Sequence, residues 1–337
     1  MENLLSHPFV VLRRQCQVNH KSKKYHIVPI TLIPVIIHLH QRQGITTLWK
    51  GIGSTLLVRG MTLAIEDIIS KITPWPKEIQ WHKHSLKEIS QHIILKCVTL
   101  AIVTPFYSAS LVETVQSDIA SEKPGIFDVF KEGLCRLISW SSPQKGRMLP
   151  IWAIVVPNVT HGLLKYYFSL IIKTVTVGML HIHHKKNEIK LQGVFPKDWS
   201  NHSTVHDIEA SAQLISLVAA DAFFFPLETI LHRLQLQGTR TLIDNMDSGQ
   251  DVVAILTSYE GANDCYLTSL DQEGSGGLYK GFGALVLQFT VHFAVIKLAR
   301  YLLTQAVVYF RQIPPPAESQ PPRNLSQERL PQWSMNR

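Results

Sequence analysis

Phe225-Pro226-Leu227-Glu228-Thr229-Ile230-Leu231-His232-Arg233-Leu234-Gln235-Leu236-Gln237-Gly238 is the stretch whose reading decides the fold. An apolar run meets a proline, an acid follows two residues later, and a base seven residues later. Proline inside a helix removes one backbone hydrogen bond and kinks the chain. In lipid such a kink survives where neighbouring helices or side chains satisfy the freed groups. A charged pair just past it points to a helix bent across a membrane, its charges turned toward a bundle axis.

Working outward, Tyr259-Glu260-Gly261-Ala262-Asn263-Asp264-Cys265 leads to Glu273-Gly274 and then to Leu278-Tyr279-Lys280-Gly281-Phe282. Comparable segments begin at two earlier prolines. One reads Pro8-Phe9-Val10-Val11-Leu12-Arg13-Arg14-Gln15, with its own later turn at Leu48-Trp49-Lys50-Gly51. The other reads Pro105-Phe106-Tyr107-Ser108-Ala109-Ser110-Leu111-Val112, followed by Lys131-Glu132-Gly133 and a degraded turn at Lys145-Gly146-Arg147. Three units of one kind are the mark of an internal repeat.

Composition agrees with a membrane body. Charged residues make up 17% and hydrophobic ones 45%, so long apolar segments alternate with polar connectors. Ile151 to Leu180 carries Lys165 and Lys173 as its formal charges and exceeds the ~20 residues that span a bilayer. The net charge of +8 gathers in short clusters, Lys21-Ser22-Lys23-Lys24 and Lys185-Lys186, which suit anionic headgroups. No groove-reading motif accompanies them, so nucleic acid is not an expected partner. Four cysteines, Cys16, Cys97, Cys135 and Cys265, form no C-x-x-C and fit reduced thiols. The N-terminus has neither a signal peptide nor an Arg- and Ser-rich presequence, which implies delivery by internal signals. His181-Ile182-His183-His184 lacks a completing acid or cysteine at ligand spacing, so no metal is expected. No enzyme motif is present; neither a catalytic residue nor a cofactor is expected.

The two stretches from Phe225 to Phe282 resemble the last repeat of the mitochondrial carrier superfamily, solute carrier family 25. In that family a kinked helix carries P-x-[DE]-x-x-[KR], a surface helix ends in an acid-glycine pair, and [YW]-[KR]-G opens the next helix. The resemblance implies an all-α membrane protein: a three-fold pseudo-repeat bundle of six transmembrane helices with short surface helices. Membrane helices are expected near 5–18, 53–72, 88–117, 148–180, 208–236 and 282–310, and surface helices near 29–42, 126–138 and 262–273. The repeats are placed at 1–85, 86–184 and 208–312, with a polar insertion at 185–207 and a disordered proline-rich tail at 313–337. Seven residues precede Pro8, so the first helix is expected to be truncated by two or more turns.

The resemblance also assigns roles. Pro8, Arg13, Pro105, Pro226, Glu228, Arg233, Gln235, Glu273, Gly274, Tyr279, Lys280 and Gly281 stand at carrier-signature positions. In transporting relatives, an acid and a base on each kinked helix form a ring of gating ion pairs. Here Val10, Tyr107, Ser110 and Leu231 stand where gate charges belong. Val58 and Gln288 stand where an arginine often contacts substrate. One acid, Glu228, and one aligned base, Arg13, cannot close such a ring. Pro226, Glu228, Arg233 and Gln235 are expected to tie the third repeat together.

Several stretches match a divergent, outer-membrane branch of the superfamily: Pro8 to Asn19, Pro105 to Ser117 and Pro226 to Asn245. This implies a non-transporting adaptor of the outer mitochondrial membrane that supports fission and fusion, cristae organisation and lipid traffic. The implied partners are membrane lipids, the mitofusins, the inner-membrane fusion GTPase and the cristae-organising complex. The alternative is a solute transporter of the inner membrane with a degenerate gate.

Overall fold

The computed structural model describes residues 2–78, 85–119, 127, 131, 133–135, 149–191, 201–239 and 241–312. Residues 1–292 form one compact unit; a second, residues 293–337, is described as helix to Gln312. The helices are α1 (Glu2–Val18), α2 (Ile33–Gln43, after a 3-10 turn at Pro29–Leu32), α3 (Ile52–Ile72) and α4 (Leu86–Val115). Then come α5 (Ile151–Leu191), α6 (Asn201–Phe223), α7 (Phe225–Leu236), α8 (Ala262–Gly277) and α9 (Phe282–Gln312).

Helices occur at each of the six expected membrane positions, but they differ in apolar length. Among the described residues, Leu86–Val115, Ile151–His183 and Phe282–Ala306 are long and apolar enough to cross a bilayer. The pair Ile208–Phe223 and Phe225–Leu236 makes a fourth if read as one bent span. Its bend is 61° and falls at Phe224, just before Pro226, which takes the first turn of α7 and has no amide to lose. α1 has 17 residues, below the ~20 that span, and α3 carries Arg59, Glu66, Asp67 and Lys71. Pro105, by contrast, sits inside an unbroken α4. That helix opens on a capping box, in which Ser85 N–H donates to Glu88 Oε2 at 3.2 Å.

Two helices run into the insertion placed at 185–207: α5 continues to Leu191, and α6 begins at Asn201. The chain is also not wholly helical. An antiparallel hairpin, β1 (Leu242–Asp244) and β2 (Val252–Ala254), lies between α7 and α8, with Ile243 opposite Val253. β-Branched residues flank a turn that ends at Gly249 with φ +70°, a hairpin signal the helix-centred reading passed over. Most of the surface helix expected at 126–138, the 145–147 turn and the 313–337 tail lie outside the described residues.

The hairpin joins the repeats. Ile243 packs with Val18, Leu111, Val115, Leu236 and Ile255, and Ser117 N–H donates to Leu242 O at 2.8 Å. Met246, in the turn, joins Leu12, Leu32, Val35, Leu39, Leu48 and Ala284 in one apolar cluster. Asp247 accepts from the Ser22 hydroxyl and from the Lys23 and Lys24 amides. A segment of the third unit thus covers the ends of α1 and α4 and the face of α2.

Candidate functional site

Three polar centres hold residues 1–292 together. The first gathers the third unit's signature. Arg233, on α7 and 2% exposed, forks onto Glu273 of α8 at 2.5 and 3.0 Å. It also donates to Ser269 Oγ at 2.8 Å and to Gln17 O, near the end of α1, at 3.0 Å. Lys280, 1% exposed, meets Glu273 from the other side at 2.5 Å and donates to the carbonyls of Asn19, His20 and Ser22. Burial pushes the Lys280 ammonium down, and Glu273 opposes that shift. Cations suit the free carbonyls after a helix end, and here they stitch α1 to α7, α8 and the start of α9. Gly274, at φ +69°, breaks the helix after Glu273. Gly281, at φ +82°, lets the start of α9 reach α1: a Cβ there would stand 2.7 Å from the Cys16 Cβ. Tyr279 stacks on Phe225 with ring centroids 6.0 Å apart.

The second centre is the remnant gate. Arg13 of α1 pairs with Glu228 of α7 at 3.1 Å and lies 3.7 Å from Asp221 of α6. Asp221 pairs with Lys165 of α5 at 2.6 Å. The surviving acid and base are therefore each other's partners, in a four-residue chain across four helices. Where gate charges are absent, the uncharged side chains standing there hydrogen-bond instead. Arg14 donates to Tyr107 Oη and Thr114 Oγ1; Tyr107 Oη is hydrogen-bonded to His232, and His232 to Gln17. Ser110 is hydrogen-bonded to Ser54 of α3 at 3.1 Å. Leu231 is buried, Val10 and Gln288 are half-buried, and Val58 packs with Val103, Phe106 and Ala109.

The third centre repeats the first with one part replaced. Gln15 stands seven residues after Pro8, as Arg233 does after Pro226. Gln43-Gly44 precedes Trp49-Lys50 by the same spacing as Glu273-Gly274 precedes Tyr279-Lys280. The first unit thus has glutamines where the third has its base and acid. The missing carboxylate comes from the hairpin: Asp244, 2% exposed, accepts from Gln15 (3.0 Å), Gln43 (2.8 Å), Lys50 (2.9 Å) and Ser117 (2.6 Å).

Burial alone would push the Asp244 carboxyl up, but Lys50 and the hydrogen bonds from Ser117, Lys50 and Gln43 outweigh it and hold it below its ordinary value. Such a group adds stability above its unfolded value of about 3.9 and loses it as pH falls through its lower folded value. The thermal midpoint of the detergent-solubilised protein is expected to fall between about pH 5 and 3, and the Asp244→Asn variant should fall less steeply. Equal slopes would remove Asp244 from this account.

Beside the remnant gate, a cavity of about 490 Å³ lies among α1, α3, α4 and α5. Val58, Tyr107 and Ser110, three of the altered transport positions, line it, with Arg14, Arg59 and Lys96.

A family profile described as Mitochondrial carrier protein matches residues 207–309. Mitochondrial outer membrane protein SLC25A46 of Gallus gallus is 44% identical over 301 residues, covering 89% of this chain and 73% of the relative. The protein of that name from Homo sapiens is 42% identical over 310 residues, covering 89% and 71%. The Danio rerio protein is 43% identical over 307 residues, covering 89% and 74%. The chain belongs to the SLC25A46 family. It is a carrier-type, multi-pass protein of the mitochondrial outer membrane.

Within the chain the signature residues do not group as their order implies. Arg233 answers Glu273, Glu228 answers Arg13, and Gln235 reaches Asn158 of α5 at 3.5 Å. Arg233 therefore ties the third unit to itself through Glu273, while Glu228 and Gln235 reach other units, because an α-helix turns residues five apart to different faces. Sequence reasoning missed Asp221, Lys165, Arg14, His232 and Asp244. Asp221 had a signal: an acid in an otherwise apolar run before Pro226 marks a membrane helix with a partner. The shared spacing shows that the first unit lacks an acid, but it does not point to Asp244.

Proposed function

We propose that the chain is a non-transporting adaptor: a six-span body of three carrier repeats whose outer faces meet lipids and partner proteins. The observation that carries this reading is the replacement of gate ion pairs by hydrogen bonds to the uncharged side chains of Tyr107 and Ser110, with Asp244 pinning α1, α2, the turn before α3 and the end of α4. Alternating access needs interactions that form in one state and break in another. A ring reduced to one ion pair, with its ends strapped by a hairpin, favours one state. The roles follow from the family resemblance: support of fission and fusion, cristae organisation and lipid traffic. The partners proposed on the same ground are the mitofusins, the inner-membrane fusion GTPase and the cristae-organising complex. An inner-membrane transporter is the competing reading, and the outer-membrane placement weighs against it.

The test is reconstitution. Purified protein in liposomes is expected to give no uptake of labelled nucleotides, carboxylates or amino acids above empty liposomes. Saturable counter-exchange that Glu228→Gln abolishes would overturn the adaptor reading.

A further inference from the structure

The cavity among α1, α3, α4 and α5 has a charge imbalance that the second polar centre leaves unmet. Lys96 is answered by Glu66 at 2.7 Å. Arg14 is not answered in kind. Its guanidinium is buried, its hydrogen bonds run to the hydroxyls of Thr114 and Tyr107, and no acid pairs with it among the described residues. Its Nε is buried without a hydrogen-bond partner among those residues, as is the Nε2 of His161 on the opposite wall. A buried cation left without a counter-charge is costly, and a bound anion relieves that cost. Arg59 stands at the exposed edge of the same cavity.

The rest of the wall is apolar: Val58, Leu63, Leu100 and Val103. Leu63 is 62% exposed, so the apolar surface runs from the interior out to the edge of α3. Gly162 lets α5 close against Leu100, since a Cβ at that position would come 2.7 Å from Leu100 Cδ1. The volume of about 490 Å³ lies within the 300–1,000 Å³ or so usual for ligand pockets. A small hydrated anion would satisfy Arg14 but leave the leucine and valine walls wet. A neutral lipid would cover the walls but leave Arg14 unanswered.

We infer that this cavity binds an acidic amphiphile, with a carboxylate or phosphate head against Arg14 and Arg59 and an acyl chain along Val58, Leu63, Leu100 and Val103. The head takes charge-assisted hydrogen bonds from the two guanidiniums. The chain leaves the bundle past Leu63. Because binding asks nothing of alternation, the site stands apart from the adaptor reading, and an equilibrium binding assay does not test transport.

The experiment uses the full chain in phosphatidylcholine nanodiscs with photoactivatable palmitate and photoactivatable phosphatidate. Labelling is expected on α3 and α4 beside Val58 and Leu100. Unlabelled acidic competitor should displace the label about tenfold more effectively than added phosphatidylcholine, the scale of one charge-assisted contact. Arg59→Gln should weaken labelling about tenfold, and Arg59→Lys, which keeps the charge, should restore part of it. Val58→Trp should block labelling by filling the cavity; if that variant fails to fold, Arg59→Gln still decides. Labelling by palmitate alone assigns a free fatty acid, by phosphatidate alone an acidic phospholipid, and either supports the inference. Labelling indifferent to Arg59→Gln, competition by phosphatidylcholine equal to that by the acids, or inorganic phosphate competing as well as phosphatidate would each overturn it.

Discussion

Arg233→Cys is expected to lower the steady-state amount of the protein and to cost about 3–5 kcal/mol of stability, the usual cost of removing one member of a buried ion pair. The substitution deletes the fork onto Glu273, the bond to Ser269 and the tie to the Gln17 carbonyl. Lys280 stays on Glu273, so the carboxylate is not wholly stranded and the loss should fall toward the lower end. Chain abundance in mitochondria and thermal unfolding in native membranes would both report it. Normal values for both would mean that the latch does not hold the fold. Arg233→Lys should rescue little, because an ammonium cannot reproduce the fork.

Asp244→Ala should be comparably severe, again about 3–5 kcal/mol, because it strands Lys50 together with three neutral donors. Its local signature differs. The hairpin should come free, so limited proteolysis of the solubilised variant should cut between residues 242 and 254 sooner than in the parent chain. Asp244→Leu combined with Lys50→Met should recover part of the loss, since a buried ion pair exchanged for apolar groups of like size is often neutral. An unchanged cutting pattern in Asp244→Ala would show that apolar packing of Ile243 and Met246 suffices to seat the hairpin.

How much of this was legible in the residues follows from the range of each interaction. Helix positions were readable because apolar periodicity and proline punctuation act over a few residues. The break just before Pro226, the glycine turns at Gly274 and Gly281, and the near-coincidence of α3, α4 and α9 with their expected spans all rest on such local physics. The lost gate charges at Val10, Tyr107, Ser110 and Leu231 were readable for the same reason, since each is a position counted from a nearby proline. Partner choice was not. Arg13 and Glu228 lie 215 residues apart, and Gln15 and Asp244 lie 229 apart. Nothing in the local chain says that Arg233 turns from Glu228 toward Glu273, or that a hairpin of the third unit supplies the acid the first unit lacks. Those outcomes depend on which helix faces come together, and on the cost of burying a charge unanswered, which drives each one to whatever counter-charge the packing brings within reach.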